Sequence, residues 1–467
     1  MSSGGNFERE VGSLHDPTSR VYSNGDSILR GLSESSADGV RSLMDAPFFA
    51  RRVADGSLID AKFVDVPDSG IEEWSHLVSH RRLPVISWPH EWSFSMLQDA
   101  ALLQLDISLD ALASGISLKD GTPYNVQFEG SKPIFIDVGS FDRVTTPKPW
   151  LGYRQYCDMF LDPLLVQAYT GLPARGVLRG SVRGLPAEIT RKLLPSRAKF
   201  RWGVFTNVIL HAWFSRRHKD DDSDVVTDIS KAGFSPAIAK AQLQKLRKLV
   251  ASLEWESGAS VWSGYTDREH YEGDDLPIKA KFVSEVAASN PRDRVLDLGA
   301  NDGYFSQCVR DAAAHVIAVD NDELVIDRLY KKLRSEGDTK ITPLCIDLSD
   351  PGGGLGWMGT QRTSMIDRLR SDLVLALALI HHVVISDSVP IPMFLAMVKA
   401  LGDEAVVEFP CEDDPKVIRL IRNKAGQATH PYSRAVFEVA AKEIFDIERV
   451  TELPSGTRVL YHLVVKK

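Results

Sequence analysis

Residues 295–306 read VLDLGANDGYFS. An apolar run that stops on Asp297 and passes through Gly299, Asn301 and Gly303 into Tyr304 describes a buried strand, a tight loop and the start of a helix. Glycine at 299 and 303 lets the backbone turn sharply and approach a ligand, because no Cβ stands in the way. Asn301 occupies a place where a further glycine is expected, and Asn tolerates left-handed backbone better than most residues. A dinucleotide fingerprint, GxGxxG, needs glycine at 304, where Tyr304 stands, so the loop argues against a dehydrogenase.

The pattern continues outward from this loop. HVIAVD (315–320), KITPLCID (340–347), DLVLALALI (372–380) and EAVVEF (404–409) read as strands. The segments from Glu323 to about Ser335 and from Pro390 to Leu401 read as helices between them. FDIERVTEL and TRVLYHLVV, joined by PSG, close the chain as an antiparallel hairpin. Strands alternating with helices of about ten residues predict a doubly wound α/β domain over 291–467, with a parallel sheet covered on both faces. In such sheets ligands bind outside the carboxyl ends of the strands. Asp297, Asp320 and Asp347 close the first, second and third strands. Asp320 is placed to accept hydrogen bonds from ribose hydroxyls, and Asp347 to meet an adenine amino group. Any one of them alone also fits a helix cap or a solvated strand end.

Together the segments VLDLGANDGYFS, AVDND, CIDLSD and LALALIHH, ending in a β-hairpin, resemble a class I S-adenosylmethionine-dependent methyltransferase. The resemblance covers roughly 291–467 and implies a Rossmann-like, seven-stranded sheet with S-adenosyl-L-methionine as cofactor. It implies Asp297, Gly299 and Gly303 near the methionine part, Asp320 at the ribose and Asp347 near the adenine, while Asn301 departs from the commoner glycine. Methyl transfer is an in-line displacement, so the main task is to hold a nucleophile against the methyl carbon. A base is needed where the nucleophile must lose a proton. His381 and His382, after the fourth strand, and Glu408, ending the fifth, are the candidates; a packed histidine and a structural glutamate are the alternatives. The resemblance makes Trp262, Tyr265 and Tyr271, just before the domain, a candidate lid over the cofactor; packing of the linker against the sheet is the alternative. PGGGLGW (351–357) lacks the GK[ST] of a phosphate loop and reads as a flexible connection, a lid or a rim.

Upstream, residues 1–145 read as an α+β region. VYS-NG-DSI suits a hairpin turning on Asn24-Gly25, Phe94 to Ala113 a buried helix, and YNVQF and PIFIDV two short strands around EGSK. Residues 146–290 read as mainly helical, with the charge run RRHKDDDSD (216–224) as a solvated loop. Within LKDGTPYNVQFEGSKPIFIDVGSF, the order Asp120, Asn125, Asp137 resembles the catalytic and metal-binding loops of kinase-like phosphotransferases. That resemblance implies Asp120 at an acceptor hydroxyl, with Asn125 and Asp137 holding Mg²⁺. Leu118 stands where a histidine is expected, no GxGxxG loop or strand lysine is evident in the first hundred residues, and the lobe reads as truncated. Turn formation is the alternative role for these residues. PHEWSFSMLQDAALLQLD, SLKDGTPYNVQF and PWLGYRQYCDMFLDPL, followed by the methyltransferase segments, are similar to a bacterial family that includes rhizobial host-specific nodulation proteins. That implies a carbohydrate or lipo-oligosaccharide acceptor.

Composition bounds the rest. With 55 basic against 63 acidic side chains the net charge is −8, which leaves no basic excess for non-specific binding to nucleic acid. The longest apolar run, Leu373 to Ile380, is far below the roughly 20 residues of a membrane helix, so no membrane insertion is expected. The opening residues lack the pattern of a secretory signal. Four scattered cysteines, with no CxxC, fit free thiols in the cytoplasm and no structural metal. The expected partner is a small molecule or glycan. The rival readings are a phosphotransferase centred on Asp120 and a non-catalytic cofactor-binding protein; oligomeric state is left open.

Overall fold

The computed structural model describes residues 7–25, 27–65, 71, 73–144, 150–209, 235–255, 275–424 and 430–467. The charge run at 216–224 and the aromatic residues Trp262, Tyr265 and Tyr271 lie outside the described residues. The chain divides into two units. One comprises Met1–Phe128, Pro133–Ser257 and Gly354–Arg362; the other comprises Glu129–Lys132, Gly258–Gly353 and Thr363–Lys467.

The second unit is the doubly wound domain. Its strands are β1 (Arg292–Leu298), β2 (Ala313–Asp320), β3 (Ile341–Cys345), β4 (Ser371–Ala376), β5 (Gly402–Pro410), β6 (Phe445–Glu452) and β7 (Arg458–Val465). They form one sheet in the order β3-β2-β1-β4-β5-β7-β6. The first five run parallel; β7 is antiparallel to both β5 and β6. Strand order therefore reverses between β1 and β4, which is where such sheets open a crevice at their carboxyl ends. The near-continuous apolar strands follow from burial on both faces. Val295, Val316, Ala318, Leu373, Leu375 and Val406 pack in one core with Phe282 and Val283 of α1 (Asp275–Ala288) and with Leu329 and Leu333 of α3 (Glu323–Glu336).

Between β1 and β2 stands the short α2 (Tyr304–Val309). It stops at Val309, and β2 begins four residues later at Ala313. β4 ends at Ala376, four residues before the end of the apolar run; Ala378 turns into the left-handed region (φ +51°) and breaks the strand. α4 (Met365–Leu369), α5 (Ile391–Leu401), α6 (Pro415–Asn423) and α7 (Arg434–Ile444) complete the unit.

The first unit opens with a five-stranded antiparallel sheet. Across it the strands run Glu8–Arg9, Ser19–Asn24, Ser27–Leu32, His76–Arg81 and Lys62–Val64. The expectation of a truncated lobe is thus corrected: half-buried strands of two to six residues carry too little apolar pattern to stand out. The hairpin turn is shifted by one residue, since Asn24 pairs with Ser27 and Gly25 takes the left-handed conformation (φ +50°). The helix Phe94–Ala113 is as expected. Its Gln98 donates to the carbonyls of Val250 and Leu253 at 2.8 Å each, at the end of the helix Pro236–Ala251. Ile116–Leu118 pairs with Phe141–Arg143, and Val126–Glu129 with Lys132–Phe135. The end of the glycine-rich connection is a folded piece of this unit. Leu355 bridges to Arg362, whose guanidinium lies 3.8 Å from the centre of the Tyr124 ring.

Among the described residues no helix is long and apolar enough to cross a membrane.

Candidate active site

Three left-handed residues shape the loop after β1: Gly299 (φ +73°), Asn301 (φ +50°) and Gly303 (φ +77°). The amides of Gly299 and Ala300 both donate to the carbonyl of Val319, at 2.8 and 2.9 Å, and hold the loop on the tip of β2. A Cβ on Gly303 would stand 2.6 Å from Leu329 Cδ1, so the close approach of loop to α3 needs glycine.

Asp320, ending β2, holds the same loop from its side chain. Its Oδ2 accepts from the amide of Asn301 at 3.0 Å and its Oδ1 from that of Asp322 at 2.9 Å. Each carboxylate oxygen has a second lone pair for another donor. Burial pushes the Asp320 pKa up, and these backbone donors oppose the rise. The carbonyl of Asp320 accepts from Ile346 at 2.9 Å, which brings Asp347 to the neighbouring tip. Asp347 Oδ1 accepts from the amide and hydroxyl of Ser349, at 2.9 and 2.7 Å. The carboxyl of Asp387 is raised by burial and then by the charge of Asp347.

Asp297 is 2% exposed and accepts from the Ser306 hydroxyl at 2.6 Å. Burial pushes its pKa up to about 6, against the pull of that hydrogen bond and of the Lys279 ammonium. Lys279 was not singled out from the sequence. It lies on α1, over the Phe305 ring at 4.5 Å, and is ion-paired with Glu408. Lys279, Phe282, Val283 and Val286 share one buried helical stripe, and a lysine on such a stripe is the signal that could have found it.

Glu408 is fully buried. Besides Lys279 it meets Arg458 at 3.0 Å, and Arg458 meets Asp414 at 2.7 Å. Two cations and two anions thus form a linear chain, Lys279–Glu408–Arg458–Asp414, from α1 through β5 and β7 to the N-terminus of α6. The opposing charges hold the Glu408 carboxyl below its ordinary value even though burial works the other way. Its two oxygens are held by Lys279 and Arg458, and this geometry gives Glu408 a structural task.

The rings of His381 and His382 lie 4.2 Å apart. His381 is 2% exposed and its Nδ1 has no hydrogen-bond partner. Burial, then His382, Arg458, Lys416 and Lys279, pushes its pKa well down. Burial, with Lys416, Arg419 and Arg458, takes His382 to about 4. Both imidazoles are neutral at pH 7. The orphaned Nδ1, the buried and unpartnered Oδ2 of Asp322 and the glycine cradle at 299–303 are features that fit an adenosyl amino-acid cofactor.

The structure also brings Asp120, Asn125 and Asp137 together, within the first unit. Asp137 pairs with Arg30 at 2.8 Å, Asn125 is buried, and Asp120 is raised by burial and then by the Asp137 charge. Among the described residues no group of three or more His, Cys, Asp or Glu is placed to hold a metal ion.

The chain is 31% identical over 461 residues to nodulation protein NoeA of Rhizobium meliloti (strain 1021), covering 97% of this chain and 95% of that protein. The chain belongs to the NoeA family. No protein-family model matches it. Among solved structures, magnesium protoporphyrin IX methyltransferase from Synechocystis PCC 6803 with bound SAH is 17% identical, with a TM-score of 0.32, covering 44% of this chain and 95% of that one. The N-methyltransferase NodS from Bradyrhizobium japonicum WM9 is 10% identical, with a TM-score of 0.30, covering 42% of this NoeA-family chain and all of NodS.

Proposed function

We propose that the second unit is an S-adenosylmethionine-dependent methyltransferase, and that its acceptor is a small molecule of the carbohydrate or lipo-oligosaccharide class. The observation that carries the reading is the meeting of Asp297, the Gly299–Gly303 loop and Asp320 at the carboxyl tips of β1 and β2, beside the point where strand order reverses. The likeness to a nodulation protein supports a role in nodulation.

When bound, the cofactor supplies an electrophilic methyl group on a sulfonium. Asp297, once ionised, holds an ammonium group. The gap left by Gly299 and Gly303 would admit an amino-acid moiety, and the spare lone pairs of Asp320 would take ribose hydroxyls. Asp347 stands one strand further along, at the adenine position. His382, neutral at pH 7, takes the proton of an acceptor hydroxyl; His381, packed against it, fixes its position. Orientation and water exclusion supply the rest of the rate.

Calorimetry with S-adenosylmethionine tests the binding. Incubation with methyl-labelled cofactor and fractionated bacterial extract tests transfer and reports the acceptor class. A folded protein that shows no heat at millimolar cofactor sinks the reading. Cofactor binding without labelled product would leave a recognition protein in its place.

A further inference from the structure

We propose that the first unit docks on an anionic membrane surface through a basic and apolar face built from residues 172–205. Residues 172–201 hold eight basic side chains and one acidic, Glu188, in a chain whose net charge is −8. Local positive charge of this kind draws a protein to a negatively charged lipid leaflet. Among the described residues no carboxylate pairs with Arg183, Arg191, Lys192, Arg197 or Lys199. Arginines elsewhere in this unit do meet acids, as Arg51 meets Asp110 and Arg247 meets Asp106.

The fold turns apolar side chains out beside these cations. The helices Ala174–Gly180 and Ala187–Leu193 both pack on the helix Asp162–Thr170. In the second of them Ala187 and Thr190 are buried, with the Thr190 hydroxyl donating to Asp162 Oδ2 at 3.1 Å, while Ile189, Lys192 and Leu193 are exposed. The turn Ser196–Lys199 buries Ala198 and exposes Arg197, and Phe200 after it is 85% exposed. Arg201 and Phe205, exposed in their turn, are one helical hydrogen bond apart, and the segment Phe205–Ile209 packs against Ala187–Leu193. Ile189, Leu193, Phe200 and Phe205 therefore stand on neighbouring elements, each within four residues of a cation. Single exposed apolar side chains are ordinary, but a group of them marks a place of contact. Interleaving with long cationic stems selects a bilayer: the apolar groups sink below the lipid phosphates while ammonium and guanidinium groups stay level with them. A nucleic acid would take the cations but offer nothing to Ile189 and Leu193.

The test floats the full chain with vesicles of phosphatidylglycerol mixed with phosphatidylcholine, or of phosphatidylcholine alone. Binding to the anionic vesicles should exceed binding to the neutral ones at least about tenfold and weaken as salt is added. Lys192→Glu with Arg197→Glu should lower it at least about tenfold, and so should Leu193→Ser with Phe200→Ser. All four positions are exposed, so both variants should unfold cooperatively like the parent. Absence of binding to anionic vesicles overturns the proposal, as does equal binding to neutral ones or full affinity in either variant. A single-stranded RNA oligonucleotide held more tightly than the vesicles, and indifferent to Leu193→Ser with Phe200→Ser, overturns it in favour of nucleic acid. A dimer in sedimentation that this same variant dissolves overturns it in favour of a second copy of the chain.

Discussion

Lys279 places its ammonium on the carboxylate of Glu408, and both side chains are sealed from water. A buried pair contributes little net stability, since desolvation offsets attraction, but removing one partner strands the other charge. Glu408→Gln should therefore lower stability by about 3–5 kcal/mol. Lys279→Met combined with Glu408→Gln should recover part of that loss. Urea unfolding of both variants, followed through amide exchange in β5, measures it; equal losses would mean that the two charges do not interact.

Asp320 is predicted to serve the cofactor and the loop together. Asp320→Ala should weaken S-adenosylmethionine binding by about 1.5–3 kcal/mol, the range for hydrogen bonds to a charged group. Exchange of the Asn301 amide should quicken as well, because Asp320 Oδ2 is its acceptor. Unchanged affinity in calorimetry would remove Asp320 from the site even if the amide did loosen.

Asp297 and Asp320 show how far the sequence could be read. The spacing from VLDLG to AVD places both carboxylates on adjacent strand tips, because consecutive strands joined by a helix usually lie side by side in a parallel sheet. It does not show that Asp320 also holds the Asn301 amide, since that bond depends on a left-handed turn at Asn301. Lys279 escaped notice because it precedes the motif and its partner is 129 residues away by subtraction of the two numbers, 408 and 279. The helices α6 and α7 escaped because they are short and half-exposed, and the sheet of the first unit because its edge strands are brief.

Asp297 makes cofactor binding depend on pH. Its folded pKa is raised to about 6, so between the ordinary carboxylate range and pH 6 the folded protein keeps a proton that the unfolded chain has lost. Stability consequently falls as pH rises through that window, and the cost persists above it. An ammonium group binds the ionised form only. Affinity should then fall about tenfold per pH unit below about pH 6 and level off above it. Calorimetry at pH 5, 6 and 7.5 reads this directly. Asp297→Asn should bind weakly at every pH, and a persisting slope in that variant would assign the titration elsewhere.

The two histidines act with the opposite sign. Their folded pKa values lie below the unfolded one, so protonation favours unfolding. Stability contributed by their neutral forms is complete above about pH 6.5 and is lost as pH falls towards 4. His382→Asn should flatten that acid limb in a urea titration. With neutral His382 as the base, labelled-methyl incorporation should hold steady from pH 7 to 8 and drop about 10²–10⁴-fold in His382→Asn, cofactor affinity being retained. An unchanged rate would leave His382 as a packed side chain.

Gly303 tests the shape of the loop without touching a charge. Two independent constraints meet there: a left-handed φ of +77° and a Cβ position 2.6 Å from Leu329 Cδ1. The first disfavours any L side chain by roughly 1–2 kcal/mol; the second forces Leu329, buried in the core, to move. Gly303→Ala should lower the stability of the second unit by about 2 kcal/mol or more and weaken S-adenosylmethionine binding, since the amide ladder on Val319 shifts with the loop. Leu329→Ala in the same chain opens the space but leaves the backbone constraint. Partial recovery of binding in the double variant would separate crowding from conformation; complete recovery would show that φ alone imposes nothing. Gly337, also left-handed (φ +68°) but with open space around its Cβ position, supplies the control. Gly337→Ala should show only the conformational part, with cofactor affinity intact.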